Sequence, residues 1–159
     1  MIIIADSSPL ITLALIDKLE ILELLFKEVI ISEGVYEEII KKDKPKSTKL
    51  KEYFKNNVKT VSNIIAVNIL KQDIDLGEAE SIVLALELKI EDILIDDLKG
   101  RKYAKIEGLK IIGSMGLLLE AKRRGFIKEI KPLLEILIKN NIRLGDALIE
   151  QVLKTANEM

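Results

Sequence analysis

The sequence contains no cysteine and no histidine among its 159 residues. These absences exclude thiol nucleophiles, zinc sites of the Cys/His kind, haem ligation and every catalytic device in which histidine is the base. Any general acid, base or metal ligand must come from Asp, Glu, Lys, Tyr, Ser or the backbone. If the protein uses a metal ion, this composition favours a hard cation with oxygen ligands, such as Mg2+ or Mn2+.

Aromatic residues and long apolar runs are also scarce. Aromatic residues make up 4% of the chain, and no apolar run reaches the roughly 18 residues that a membrane span needs. The first residues resemble a strand and lack the basic segment of a signal peptide, so we expect a cytoplasmic protein. With 48% hydrophobic and 32% charged residues, the composition predicts one globular domain, residues 1–159.

Charge is unevenly distributed, although the formal net charge is only -1. Residues 1–98 hold 12 Lys and Arg against 19 Asp and Glu, whereas residues 99–143 hold 12 Lys and Arg against four Glu. An acidic half followed by a basic stretch is the pattern of a metal site beside a phosphate-binding face. Solvated Lys-rich helices give the same pattern, so both interpretations stay open.

Short apolar runs alternate with amphipathic segments along the chain. Strands are predicted at residues 1–5, 29–31, 93–95 and 110–112, with a weaker strand region at 58–67. Helices are predicted at 7–26 with a break near residue 17, and at 33–40, 48–56, 77–88, 99–106, 113–124, 130–140 and 146–156. Buried strands that alternate with helices predict an α/β fold, with a central parallel sheet and helices on both faces.

Acidic residues stand directly after two of the predicted strands, where open α/β sheets bind their ligands. Asp6 follows the first strand, and Asp96 and Asp97 follow the strand at 93–95. A carboxylate after five apolar residues is costly to desolvate unless it is paired, and a cation would pair with it. Asp97 could instead cap the next helix. Two adjacent carboxylates cannot both serve equally as ligands, so the choice between Asp96 and Asp97 stays open.

Four glutamates near helix starts complete the set of candidate acids. Glu78 and Glu80 lie in the first turn of the helix that begins near residue 77, where an acid also complements the helix dipole. They are about 200° apart on the helix, and Glu78 shares the inward face with Ile82. Glu37 and Glu38 follow the strand at 29–31 and could equally be solvated.

A cluster of these carboxylates has a chemical use. Carboxylates brought together repel one another, which raises their pKa values unless divalent ions occupy the site. With Mg2+ or Mn2+ bound, the cluster would activate a water molecule and stabilise the leaving oxygen of an in-line displacement at phosphorus.

Five short stretches occur in order along nearly the whole chain: 4–11 (Ile-Ala-Asp-Ser-Ser-Pro-Leu-Ile), 35–39 (Val-Tyr-Glu-Glu-Ile), 76–82 (Leu-Gly-Glu-Ala-Glu-Ser-Ile), 94–97 (Leu-Ile-Asp-Asp) with Arg101, and 113–118 (Gly-Ser-Met-Gly-Leu-Leu). Together they resemble a branch of the PIN-domain superfamily, once described only as a domain of unknown function and similar to the toxins of VapBC-type toxin–antitoxin pairs. The resemblance implies a three-layer α/β/α fold, with a core at about 1–124 and an extension of extra C-terminal helices at about 125–159. It also implies RNA cleavage that depends on Mg2+ or Mn2+, an antitoxin protein as partner, and a homodimer.

The resemblance also assigns roles to individual residues. The four acids of the family correspond in order to Asp6, Glu38, Glu78 and Asp97. The third acid is usually Asp, so Glu78 is a departure that would lower or alter metal affinity, and Ile95 replaces a family Thr. The residues expected to assist are Asp96 as a further ligand, and Ser7 and Glu80 as supports of the ligand shell.

Basic residues that follow the last acid are expected to guide RNA phosphates to the site: Lys99, Arg101, Lys102, Lys105, Lys122, Arg123 and Arg124. A second function class stays open, in which the chain is a catalytically weak or inactive PIN-like module that binds RNA or a protein partner. A measurement of metal affinity in solution would distinguish these two classes of function.

Three other α/β classes fit the sequence less well. A phosphatase of the haloacid dehalogenase kind would need Asp-x-Asp after the first strand, where Ser8 holds the second position. A phosphoacceptor receiver domain would need an acidic pair at the first strand. A dinucleotide-binding domain would need Gly-x-Gly-x-x-Gly, and Gly113 and Gly116 have the wrong spacing.

Overall fold

A five-stranded sheet, parallel throughout, forms the centre of the protein, as predicted. The computed structural model describes residues 1–159. Its strands are β1 (Ile2–Ala5), β2 (Glu28–Ser32), β3 (Val58–Lys59), β4 (Asp92–Leu94) and β5 (Lys110–Ile112), in the spatial order β3-β2-β1-β4-β5. The most apolar strand, β1, lies in the middle because both of its faces must be covered.

Ten helices cover the two faces of the sheet. They are α1 (Ser7–Leu15), α2 (Glu20–Leu25), α3 (Glu33–Ile39), α4 (Ser47–Phe54), α5 (Ile64–Leu70), α6 (Leu76–Glu87), α7 (Leu98–Ile106), α8 (Ser114–Arg123), α9 (Lys131–Lys139) and α10 (Asp146–Thr155). Side chains of β1 alternate between the faces: Ile3 and Ala5 join a cluster of 28 buried residues, and Ile4 joins a second cluster of 13. The fold is therefore the three-layer α/β/α arrangement that the sequence indicated.

Local signals in the sequence account for several element boundaries. The predicted break after α1 occurs at Asp17, whose φ of 55° ends the helix. The Ser32 side chain accepts a hydrogen bond from the Val35 N–H at 3.1 Å and caps α3. Gly125 follows α8 with φ 82°, a conformation that glycine adopts without strain and that ends the helix.

The prediction of a strand region at 58–67 is mostly wrong. Only Val58–Lys59 pair with β2, and α5 begins at Ile64. The run of β-branched residues favoured a strand, but the Asn63 side chain accepts from the Ala66 N–H at 3.1 Å and caps a helix instead.

The C-terminal extension packs on the larger of the two buried clusters. Residues of α9 and α10, among them Leu134 and Val152, belong to the same cluster as β1. Near the chain end, the Glu158 carboxylate accepts hydrogen bonds from the backbone N–H groups of Ile130 and Lys131, both at 2.8 Å. No helix in the fold combines the length and the apolar character that crossing a membrane requires.

Candidate active site

The strand order reverses between β1 and β4, and in open α/β sheets such a switch point forms a crevice at the carboxyl ends of the strands. From β1 the chain continues to β2 on one side, whereas β4 continues to β5 on the other. Ala5 pairs with Leu94, and the Asp6 N–H extends the ladder by donating to the Leu94 carbonyl at 2.9 Å. Open α/β sheets bind ligands at such a switch point, and the acids after β1 and β4 lie there.

Asp6 is the most buried of the predicted acids. Its side chain is 3% exposed, it forms no capping bond to α1, and Oδ1 has no hydrogen-bond partner. Burial raises the pKa of Asp6 to about 7; the Ser7 backbone N–H opposes this shift, and the negative charges of Asp75, Asp96 and Asp97 add to it. Asp6 therefore carries a carboxyl oxygen that lacks a partner within the chain.

Glu78 is the second buried acid and lies at the start of α6. It is 4% exposed, and its Oε2 atom has no hydrogen-bond partner. Its other oxygen accepts from the Asp75 N–H at 3.3 Å, and Asp75 accepts in return from the Glu78 N–H at 2.8 Å. This reciprocal capping box fixes Glu78 in the first helical turn. Burial raises the pKa of Glu78 to about 8, and the carboxyl groups of Asp97 and Asp75 add to the shift.

Helix α7 approaches Glu78 closely because it carries a glycine at the contact. A Cβ atom on Gly100 would overlap Glu78 Oε2 and would lie 2.6 Å from Ile95 Cδ1. Asp97 caps the same helix, with Oδ2 accepting from the Gly100 N–H at 3.4 Å. Asp97 is thus both an N-cap and a neighbour of Glu78.

Asp96 is half-buried, and both of its oxygens are already occupied. Oδ1 accepts from the Ser114 N–H at 2.7 Å, and Oδ2 accepts from the Ser114 hydroxyl at 2.8 Å. Asp96 therefore joins β4 to the start of α8. Its charge still raises the pKa of Asp6.

Glu38 lies in a cavity of about 310 Å3 that Ser7 and Asp75 also line. Its carboxylate is not free, because Lys41 and Lys44 lie 3.1 and 3.0 Å from its oxygens. The two lysines hold the pKa of Glu38 below its usual value. The structure thus brings Glu38 to the edge of the site, but its charge is neutralised by the lysines.

The two residues expected to support the ligands differ in position. Ser7 begins α1 and lines the cavity beside Glu38. Glu80 instead accepts from the Gly34 N–H at 2.7 Å, and so satisfies a donor at the start of α3. The contact of Glu80 in this structure holds α6 against α3.

Asp75 is the site residue that the sequence reasoning missed. It lines the cavity with Ser7 and Glu38, and its charge raises the pKa values of both Asp6 and Glu78. The spacing Asp75-x-x-Glu78 before an apolar helix is a capping-box pattern, which could have placed Asp75 beside Glu78.

The predicted RNA-binding residues lie in different environments. Four of them pair with carboxylates: Lys99 with Asp73, Lys122 with Glu158, and Arg123 and Arg124 with Glu120. Lys102 and Lys105 are exposed. Arg101 is half-buried and lines a cavity together with Asp96. Of this set, Arg101 lines a cavity with Asp96, and Lys99 lies close enough to Asp97 for its charge to help raise the pKa of Lys99.

The crevice can be compared with what a divalent cation requires. No three Asp or Glu side chains are grouped closely enough to hold one ion in their present positions. However, the two orphaned oxygens, Asp6 Oδ1 and Glu78 Oε2, are buried carboxyl oxygens with no donor to satisfy them. Mg2+ and Mn2+ prefer such ligands. The donor chemistry therefore fits a divalent cation, with some movement of the side chains.

Comparison with known proteins identifies a protein family. A family model described as a PIN domain matches residues 2–158, which is nearly the whole chain. No significant match was found among curated proteins or solved structures.

Proposed function

Since the chain belongs to the PIN-domain family, a family with a nuclease-type fold, we propose that it is a ribonuclease that hydrolyses RNA phosphodiester bonds with Mg2+ or Mn2+. The observation that carries the proposal is the pair of buried, unpartnered oxygens on Asp6 and Glu78 at the switch point of the sheet. An ion pair or hydrogen bond normally satisfies a buried carboxylate. Within the chain neither reaches Asp6 Oδ1 or Glu78 Oε2, and a cation would satisfy both oxygens.

Each acid has a role in this proposal. Asp6, Glu78 and Asp97 would hold the ion, since the charge of Asp97 raises the pKa of Asp6 and Asp97 also lies beside Glu78. Asp75 would position Glu78 through the capping box. Bound Mg2+ or Mn2+ would supply the Lewis acid and lower the pKa of a water molecule.

Glu38 would join the ligands only after it exchanges its lysine partners. Lys41 and Lys44 now neutralise it, and the cavity that it lines leaves room for the change. Asp96 would contribute mainly by its charge, because Ser114 binds both of its oxygens. The Ser7 hydroxyl would orient groups bound in the cavity.

The test is cleavage of a structured RNA in the presence of Mn2+, Mg2+ or EDTA. We expect cutting by the native chain with either metal, and none in EDTA. Asp6→Asn and Asp97→Asn should each lose at least about 100-fold in rate, since each removes charge that the ions need. Asp43→Asn, the same change on an exposed loop residue, is the matched control. Equal activity of native protein and both variants would contradict the proposal.

The proposal extends to partners and assembly. We propose that the protein is the toxin of a toxin–antitoxin pair and forms a homodimer in the cytoplasm. Apolar side chains available for such contacts include Ile64, Ile65 and Ile69 of α5, which are 65%, 75% and 63% exposed. Sedimentation of the purified chain tests the dimer, and growth arrest on expression, relieved by the product of a neighbouring gene, tests the toxin.

A further inference from the structure

Two of the four arginines in the chain line one cavity of about 220 Å3 beside the acidic crevice. Arg101 comes from α7, and Arg143 comes from the loop between α9 and α10. The other two arginines, Arg123 and Arg124, both pair with Glu120. Neither cavity arginine forms an ion pair within the chain. Their guanidinium donors are therefore free for a ligand.

The remaining polar lining of this cavity also favours an anion. Ser8 and Ser114, in the first turns of α1 and α8, both line it. The positive ends of two helix dipoles therefore lie nearby; at α8 the first N–H, that of Ser114, already donates to Asp96 Oδ1. The one acid in the lining is Asp96, and Ser114 donates to both of its oxygens. Positive charge thus dominates the cavity.

The position of the cavity connects it with the acids. Ser8 stands two residues after Asp6, and Asp96 directly precedes Asp97. The acidic cavity around Glu38 is lined by the start of α1 together with α3 and α6, whereas the basic cavity is lined by α1 together with α7 and α8. A polynucleotide that crosses the start of α1 would contact both cavities.

We propose that Arg101 and Arg143 hold a backbone phosphate of the RNA chain next to the phosphate that is cut at the acids. The identity of the ligand as RNA rests on the proposed function. Guanidinium groups bind phosphate oxygens through paired, charge-assisted hydrogen bonds, and two arginines line this one cavity. Because Arg143 lies beyond residue 124, the proposal gives the C-terminal extension a role: it completes the substrate site.

The test measures binding without cleavage. A short, unstructured, fluorescein-labelled oligoribonucleotide is titrated with the full chain in EDTA, and anisotropy gives the affinity at several salt concentrations. Arg101→Gln and Arg143→Gln should each weaken binding about 10-fold, the loss expected for a charge-assisted hydrogen bond. The slope of log affinity against log salt should become less steep by at most about 0.7 for each variant, because 0.7 is the value for one phosphate on a single strand and the arginines share that phosphate. Lys139→Gln, an equal charge change on an exposed residue near Arg143, should leave affinity within about twofold.

The double variant tests whether both arginines hold one phosphate. If they share it, the double variant should lose clearly less than the product of the two single losses, because each single change already disrupts the shared contact. Losses that multiply would place the arginines on separate phosphates and would overturn the shared site. Circular dichroism of each variant checks that the fold is kept. If Arg101→Gln unfolds, the affinity of Arg143→Gln alone tests the proposal, because Arg143 is exposed on a loop and its replacement should leave the fold intact.

Failure of this inference is distinguishable from failure of the proposed function. If the native chain cuts RNA with metal but the arginine variants bind RNA as tightly as the native chain, the phosphate site is overturned and the nuclease function stands. Weakened RNA binding by the arginine variants, without any cutting by the native chain, would support the site and contradict the nuclease. No RNA binding by the native chain would overturn the inference. Millimolar inorganic phosphate could also raise the melting temperature of the native chain but not that of Arg143→Gln, while the two bind RNA equally well. That result would show a site for free anions and would also overturn the inference.

Discussion

Replacing Asp6 with asparagine should make the metal-free protein more stable at pH 8. The native side chain is 3% exposed, its Oδ1 has no partner, and burial raises its pKa to about 7 from a usual value of 3.8. Above pH 7 the folded protein must therefore hold a buried charge that the unfolded chain exposes to water. Asparagine has nearly the same shape and no charge.

The size and the sign of this stability difference follow from the raised pKa of Asp6. Between pH 3.8 and about 7 the folded state keeps a proton on Asp6 that the unfolded state has released, so the stability of the native protein falls as the pH rises. One pH unit corresponds to about 1.4 kcal/mol, which gives an upper limit of about 4 kcal/mol over that interval. Relaxation and water entry reduce it, and we expect a gain of about 1–3 kcal/mol for Asp6→Asn at pH 8.

The assay is urea denaturation followed by far-ultraviolet circular dichroism, in EDTA, from pH 5 to 8. The stability advantage of Asp6→Asn should grow between pH 5 and about 7 and then stay constant. Asp43→Asn, an exposed residue with the same chemical change, should stay within about 0.5 kcal/mol of native at every pH. Addition of Mn2+ should stabilise the native chain more than Asp6→Asn, because binding to the folded state adds to its stability.

Two results would refute the reasoning about Asp6. One is an Asp6→Asn variant that is less stable than native in EDTA at pH 8, which would mean that the carboxylate has a stabilising partner. The other is a stability difference that does not change between pH 5 and 7, which would mean that Asp6 titrates at its ordinary pKa.

Further predictions concern the close helix contact and the lysine pair. Gly100→Ala should lower stability by about 1–3 kcal/mol in thermal denaturation, because the new Cβ meets Glu78 and Ile95. In most helices Gly→Ala raises stability by up to about 1 kcal/mol, and such a gain here would contradict this packing. Lys41→Gln with Lys44→Gln should raise Mn2+ affinity by about 3- to 10-fold in calorimetry, since Glu38 then loses its ion pairs. Unchanged Mn2+ affinity of the double variant would exclude Glu38 as a ligand. Lys42→Gln is the matched control, because Lys42 does not pair with Glu38.

Several features of the site could be read from local sequence alone. Five apolar residues followed by Asp6 predicted both the central strand and a carboxylate that is costly to bury. The helical period placed Glu78 on the inward face of α6, and the structure buries it there. Helix capping by Ser32 and termination at Gly125 also follow from short-range chemistry, since each depends on neighbours a few residues away.

Other features depend on residues far apart in the chain, which no local pattern connects. The pairing of β1 with β4 brings Asp6 near Asp96 across 90 positions. Only the packed structure puts Arg143 of the extension into the same cavity as Arg101.

The sequence by itself determined the class of fold, because periodicity is a local property. It also determined that no Cys or His side chain takes part in the site, because their absence is a property of composition. Tertiary structure decided which carboxylates lack a partner: Lys41 and Lys44 neutralise Glu38, and Ser114 binds Asp96, whereas one oxygen each of Asp6 and Glu78 remains unpaired. The physical reason is that desolvation and pairing depend on every element that packs around a charge.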